Sequence, residues 1–110
     1  MSSPNNDAEN NDFENVLKDA IDTFGEDLQM MVAIEEMAEL TKVLSKVARY
    51  GMQERLRDKA VEEIADVTIM MIQLMMIFDI PDDILCKEMS RKVKRLEEGI
   101  SRRKEKLSQT

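Results

Sequence analysis

Two sets of carboxylates stand where a helix would carry core residues: Glu35-Glu36-x-x-Glu39 and Glu62-Glu63-x-x-Asp66. Residues three and four apart share a helix face, so Glu36 is a neighbour of Glu39, and Glu63 of Asp66. Like charges at that spacing repel and destabilise an isolated helix. A chain that repeats the arrangement calls for a neutralising partner, and a bound divalent cation is the simplest one. The plainer reading of Glu62 and Glu63 is that acids favour the first turn of a helix, with Asp58 as the N-cap. That reading does not cover Asp66, two turns in, nor Glu36 and Glu39, well inside their own helix.

The surrounding residues sharpen the point. If residues 28–48 form one helix, its apolar side carries Val32, Ala33, Leu40, Val43, Leu44 and Val47. Glu36 falls in the middle of that side and Glu39 at its edge, while Glu35 points away with Lys42 and Lys46. In the second segment Glu63 and Asp66 align with Met70, Leu74 and Ile77. Buried carboxylates are paired or coordinate metals.

Composition narrows the chemistry. The chain has 110 residues, enough for one domain, and no histidine. It therefore has no His base, no His-containing triad and no His-ligated zinc or copper site, and it lacks the Glu-x-x-His pairs of a di-iron bundle. Cys86 is the single cysteine, so no intrachain disulfide or Cys-rich site can form. Cys86 reads as a small core residue, since no His is present to activate it. An all-carboxylate site selects hard cations: Mg²⁺, Mn²⁺ or Ca²⁺.

The four aromatic residues leave an aliphatic core that includes ten Met. The net charge of −7 is unevenly spread. Residues 1–90 carry 8 basic and 20 acidic side chains, whereas residues 91–110 carry 8 and 3. Overall acidity speaks against binding a nucleic acid polymer. The basic end reads equally as a phosphate contact, a solvated face or a complement to an acidic neighbouring subunit. The most apolar run, Val67 to Phe78, spans 12 residues, too short for a membrane helix, and no signal peptide is visible. A cytoplasmic protein with no membrane partner is expected.

Helical punctuation supports an all-α fold. Residues 1–12 read as a disordered polar tail, 13–107 as one domain and 108–110 as a disordered end. The first helix is expected from Asp12 or Phe13 to Phe24, with Gly25 as its C-cap, and the second from Glu26 to Arg49. A polar connection then runs to about Arg57. The third helix is expected over Asp58–Phe78. The fourth begins with Pro81 in its first turn and ends near Lys106, with Leu85, Met89, Val93, Leu96, Ile100 and Leu107 as its stripe. From Val67 to Phe78 the third helix is apolar nearly all round, so it must be surrounded. That predicts an oligomer, most simply a two-fold dimer.

The order Glu35-Glu36-Met37-Ala38-Glu39, 23 residues, then Glu63-Ile64-Ala65-Asp66 resembles the signature of the MazG-type all-α nucleoside triphosphate pyrophosphohydrolases. Gln29 before the first motif and Leu40 after it fit the same pattern, as do Lys46 and Arg49 closing that helix. Lys92-x-x-Arg95-Leu96 resembles a basic element of phage-type members. Gly99 departs from it, standing where related sequences often have a basic residue.

The resemblance covers about residues 13–107. It implies a four-helix-type bundle of the all-α NTP pyrophosphatase kind, assembled as a homodimer or homotetramer. It implies Mg²⁺-dependent cleavage of an NTP or dNTP to monophosphate and pyrophosphate, with Mn²⁺ a possible substitute. Carried over by position, Glu36, Glu39, Glu63 and Asp66 are the metal ligands, and Glu35 is an accessory acid that orients water. Glu35, Glu36 and Glu39 form the catalytic set. Gln29, Lys46, Arg49, Lys92 and Arg95 are candidate substrate contacts, with Gln29 reading a base or sugar or else satisfying a core partner. The competing expectations are a phosphoribosyl-ATP pyrophosphohydrolase or dUTPase-like enzyme on the same fold, and a non-catalytic helical scaffold.

Overall fold

A computed structural model describes the backbone of residues 4–109 and the side chains of residues 12–109. The described chain is all-helical, with α1 over Pro4–Phe24, α2 over Glu26–Tyr50, α3 over Glu54–Ile77 and α4 over Asp82–Ser108. It divides into two compact units, residues 1–79 and 80–110, where the sequence pattern suggests one domain. Among the described residues no single helix is long and apolar enough to cross a membrane.

The helix ends follow local chemistry, with two displacements. Helix α1 begins at Pro4 rather than at Asp12 or Phe13. Proline suits a first helical position because its missing N–H would have no intrahelical partner. The part of the expected disordered tail at residues 1–3, and Thr110 at the other end, lie outside the described residues. Helix α3 begins at Glu54 rather than Asp58. Asp58 is therefore no N-cap, and Glu62 and Glu63 sit two turns inside the helix. Gly25 joins α1 to α2 at φ +93° and ψ 153°, a region open to glycine and strained for other residues. Its N–H donates to the Ile21 carbonyl at 2.8 Å, and its own carbonyl accepts from Gln29 at 3.1 Å.

In the first unit, α1, α2 and α3 pack on one another, with α2 against α3 the most extensive pairing. Leu17 and Ile21 of α1, Ala33 and Val43 of α2, and Leu56 and Met70 of α3 form the buried apolar core. A polar link crosses it. The Gln29 amide donates to Gln73 Oε1 at 2.7 Å, and the Gln73 amide donates to the Leu17 carbonyl at 3.4 Å. Both glutamines are buried, so one chain of hydrogen bonds ties all three helices.

The second unit is α4. It has no buried residue; Leu85, Met89, Val93, Leu96, Ile100 and Leu107 are all exposed. Cys86 is exposed as well, which corrects the expectation of a core position: the helix that carries it buries none of its side chains.

The glutamine link has a measurable signature. Gln29→Leu strands the Gln73 carbonyl oxygen in the core and should lower stability by about 1–3 kcal/mol in urea unfolding. Gln29→Leu with Gln73→Leu removes both stranded groups and should cost less than the sum of the singles. Strict additivity would mean that the two amides do not depend on each other.

Candidate metal centre

The buried stripe of α3 runs through Leu56, Glu63, Met70 and Gln73, with Asp66 half-buried beside it. A carboxylate therefore occupies the centre of an otherwise core-facing row. On α2 the corresponding row is Gln29, Ala33, Glu36 and Val43, with Glu36 half-buried. Strong helix formers (Leu, Met, Ala, Glu, Lys) keep both segments regular, so the spacing alone sets these side chains on the facing sides.

The packing of α2 on α3 brings Glu36, Glu63 and Asp66 together. Each offers an oxygen, and these oxygens all lie within 4.8 Å of one another. Glu63 is only 4% exposed. Its Oε1 lies 3.2 Å from the Lys59 ammonium. Its Oε2 is fully buried and has no hydrogen-bond partner among the described residues. A buried carboxylate oxygen without a donor is costly, and it is the feature a coordinated cation would relieve.

Electrostatics point the same way. Burial first, then the charge of Asp66 and a hydrogen bond with it, then the charges of Glu63 and Glu39, push the Glu36 carboxyl above its usual range. The cluster holds more negative charge than its surroundings neutralise. All its donors are hard carboxylate oxygens, matched to Mg²⁺ or Mn²⁺ rather than to softer metals.

The other expected residues are placed differently. Glu39 is exposed and pairs with Lys42 at 3.2 Å, outside the three-carboxylate group. Glu35 is exposed on α2, as are Lys46 and Arg49 near its end. Gln29 is satisfied by its core partner Gln73. Lys92 and Arg95 lie on α4, where with Leu96, Glu98 and Arg102 they line a surface concavity of about 380 Å³.

Sequence reasoning missed Lys59 and Arg55. Lys59 bonds Glu63, and this bond first, then the charges of Glu62 and Glu63, hold its ammonium above the usual range. With Lys46, Leu56, Asp58 and Glu62, the two line a cavity of about 480 Å³ in the first unit. The available signal was two cations near a helix start, but setting that start at Asp58 left Arg55 in the connection. No family model, curated protein or solved structure matches this chain.

A raised carboxyl pKa makes stability depend on pH with a definite sign. Below the ordinary value of 4.5, Glu36 is protonated in folded and unfolded chains alike, and its charge costs nothing. As pH rises from there through the higher folded value, the unfolded chain ionises first, and the wild type loses stability. Glu36→Gln avoids that loss. Without divalent ions its melting temperature should exceed that of the wild type at neutral pH, with the gap closing at about pH 4. Added Mg²⁺ should raise the wild type more than the variant. A variant that melts lower than wild type at neutral pH without divalent ions would show that Glu36 is not under electrostatic load.

Proposed function

We propose that this chain is a Mg²⁺-dependent nucleoside triphosphate pyrophosphohydrolase of the MazG-like kind, cleaving an NTP or dNTP to the monophosphate and pyrophosphate. The observation that carries the reading is the buried Glu63 carboxylate, which leaves one oxygen without a hydrogen-bond partner among the described residues and offers an oxygen within 4.8 Å of oxygens of Glu36 and Asp66. The order and spacing of the two acidic motifs add to it.

Glu36, Glu63 and Asp66 would hold the ion, with Glu39 as a further carboxylate recruited from its pair with Lys42. Bound there, Mg²⁺ supplies charge neutralisation for the phosphates and acidifies a water. The protein supplies the rest. A water oxygen bonds to the α-phosphorus as the bond to the bridging oxygen breaks. The electron pair leaves on pyrophosphate, and the water's proton passes to a carboxylate. With no histidine in the chain, a carboxylate is the available base, and Glu35 and Glu39 flank Glu36 along α2 to take that role. Cationic side chains hold the departing phosphates.

The assembly belongs to the same proposal. Val61, Ile64 and Met71 of α3 and Phe78 at its C-cap are exposed, as are the stripe residues of α4. An exposed apolar surface of this kind is what an interface between copies would cover, as a homodimer or homotetramer.

Two measurements test these statements. Purified protein with Mg²⁺ and a panel of NTPs and dNTPs should release pyrophosphate and a monophosphate in one step. Asp66→Ala should lose activity by at least about a hundredfold while keeping its helical circular dichroism. Orthophosphate as the product would refute the reaction type, and full activity in the variant would refute the centre. No turnover of any nucleotide would favour the scaffold. Separately, sedimentation at low micromolar concentration should show no folded monomer, and a stable monomer would overturn the proposed assembly.

A further inference from the structure

Helix α4 carries an apolar row with a spacing of its own. Met89, Val93, Leu96 and Ile100 follow one another at steps of four, three and four, and all are exposed. That is the seam of a two-stranded coil, with Cys86, Val93 and Ile100 at the a positions and Met89, Leu96 and Arg103 at the d positions. A seam this narrow suits one partner helix. A membrane surface asks for a broader face with aromatic anchors, and residues 82–108 contain no aromatic side chain. The seam is also shaped to receive side chains. Cys86, Met89, Ser90, Val93, Lys94 and Glu97 line a surface concavity of about 490 Å³. The first four stand at i, i+3, i+4 and i+7, the four-residue frame that accepts a knob from a facing helix. Ser90, Val93, Lys94 and Glu97 repeat that frame one turn on.

The charges select the partner and its direction. Residues 82–88 carry three acids and one base, whereas residues 102–106 carry four bases and one acid. An antiparallel copy of α4 brings each end against its opposite. A parallel copy would gain Lys92 against Glu97 on the rim. It would also stack Arg103 on Arg103 and Asp82 on Asp82 inside the seam, where like charges cost more than a solvated rim pair returns. The layers then fix the register. With Val93 opposite the second copy's Leu96, Met89 meets Ile100 and Cys86 meets Arg103. Asp82 falls opposite residue 107, so the two helices overlap over nearly their whole length, about 40 Å. In this register the second copy's Ile100 and Leu96 face the two frames of the concavity, and Lys104 flanks the second copy's Asp83 at either end.

We infer that α4 is a self-pairing arm, which joins a second copy of this chain through an antiparallel coil of α4 on α4 centred between Val93 and Leu96. This rests on the reading that copies of the chain associate, and it supplies a joint separate from the exposed residues of α3. The coil covers the apolar row of a helix that has no buried residue of its own. Arg103 fits its d position because its stem packs on the second copy's Cys86 while its guanidinium reaches water.

Disulfide trapping of the full chain with a mild thiol oxidant reads this pairing, because a disulfide needs Cα atoms within about 7 Å of each other. In the antiparallel coil the two Cys86 residues stand roughly 26 Å apart, the rise between positions 86 and 103. The wild type should therefore cross-link slowly. Arg103→Cys should form a covalent dimer at least about tenfold faster, and Arg103→Cys with Cys86→Ser should fall back to the wild-type rate. In the Arg103→Cys background, Lys104→Asp should slow trapping about threefold, and adding Asp83→Lys should restore it. A wild type, or Arg103→Cys with Cys86→Ser, that cross-links as fast as Arg103→Cys would overturn the antiparallel direction. No trapping of Arg103→Cys, with a dimer still seen by sedimentation, would overturn the α4 joint and leave association through the first unit standing. A monomer by sedimentation, with no trapping, would overturn both. A wild type that pellets with vesicles of anionic phospholipid, with no trapping, would give the stripe to a membrane surface and overturn the self-pairing.

Discussion

The carboxylate of Glu63, buried between α2 and α3, is the constraint around which the first unit is organised. One oxygen meets Lys59 and the other has no hydrogen-bond partner among the described residues. A core position normally rewards an apolar side chain, and here it carries a charge whose desolvation is costly. Glu36 and Asp66 add like charges to the same place. The helices can bring these groups together only because the remaining contacts outweigh the repulsion. Ala33 and Val43 pack on one side, Leu56 and Met70 on the other. The bonds from Gln29 to Gln73, and from Gln73 to the Leu17 carbonyl, fix α1 behind them. The core is thus an apolar frame with a charged defect at its centre.

Much of this was legible in the chain. Gly25 marks the joint of α1 and α2, and the periodicity of residues 28–48 sets Glu36 among Val32 and Val43. The alignment of Glu63 and Asp66 with Met70 follows from helical spacing alone. What escaped depended on tertiary packing or on a helix boundary. Asp58 has the side chain of an N-cap, yet α3 begins at Glu54, so the first-turn explanation of Glu62 and Glu63 fails. Boundaries are the weakest part of a sequence reading because capping preferences are worth only about 1 kcal/mol. Glu39 has the right spacing to join Glu36, but its charge is taken by Lys42 on the next turn. Gln73, inside an apolar run, gave no sign that it would meet Gln29, since a pair 44 residues apart leaves no local trace.

Helix α4 shows the limit from the other direction. Its stripe from Leu85 to Leu107 is regular, and a regular stripe tells that burial is wanted but not by what. Every one of those side chains is exposed. Isolated helices are marginal in water, and most helix stability in proteins comes from packing the apolar face. The ion pair of Glu88 with Arg91 is solvated and adds little. The stripe is therefore the surface whose burial would stabilise the helix most.

The two charge patterns of the first unit explain each other better than either explains itself. The carboxylate trio gathers negative charge, whereas the cavity beside it mixes Lys46, Arg55 and Lys59 with the acids Asp58 and Glu62. Side by side, each lowers the cost of the other, because the field of one sign is closed off by the opposite sign at a distance of one side chain. Lys59 stands at that boundary, with its ammonium 3.2 Å from Glu63 Oε1 and its side chain among those lining the cavity. Its ammonium also lies 3.5 Å from Glu62 Oε2, so two carboxylates of the same helix share it. The chain thus places one ammonium between the carboxylate group and the cavity, at a residue that Glu62 and Glu63 already share.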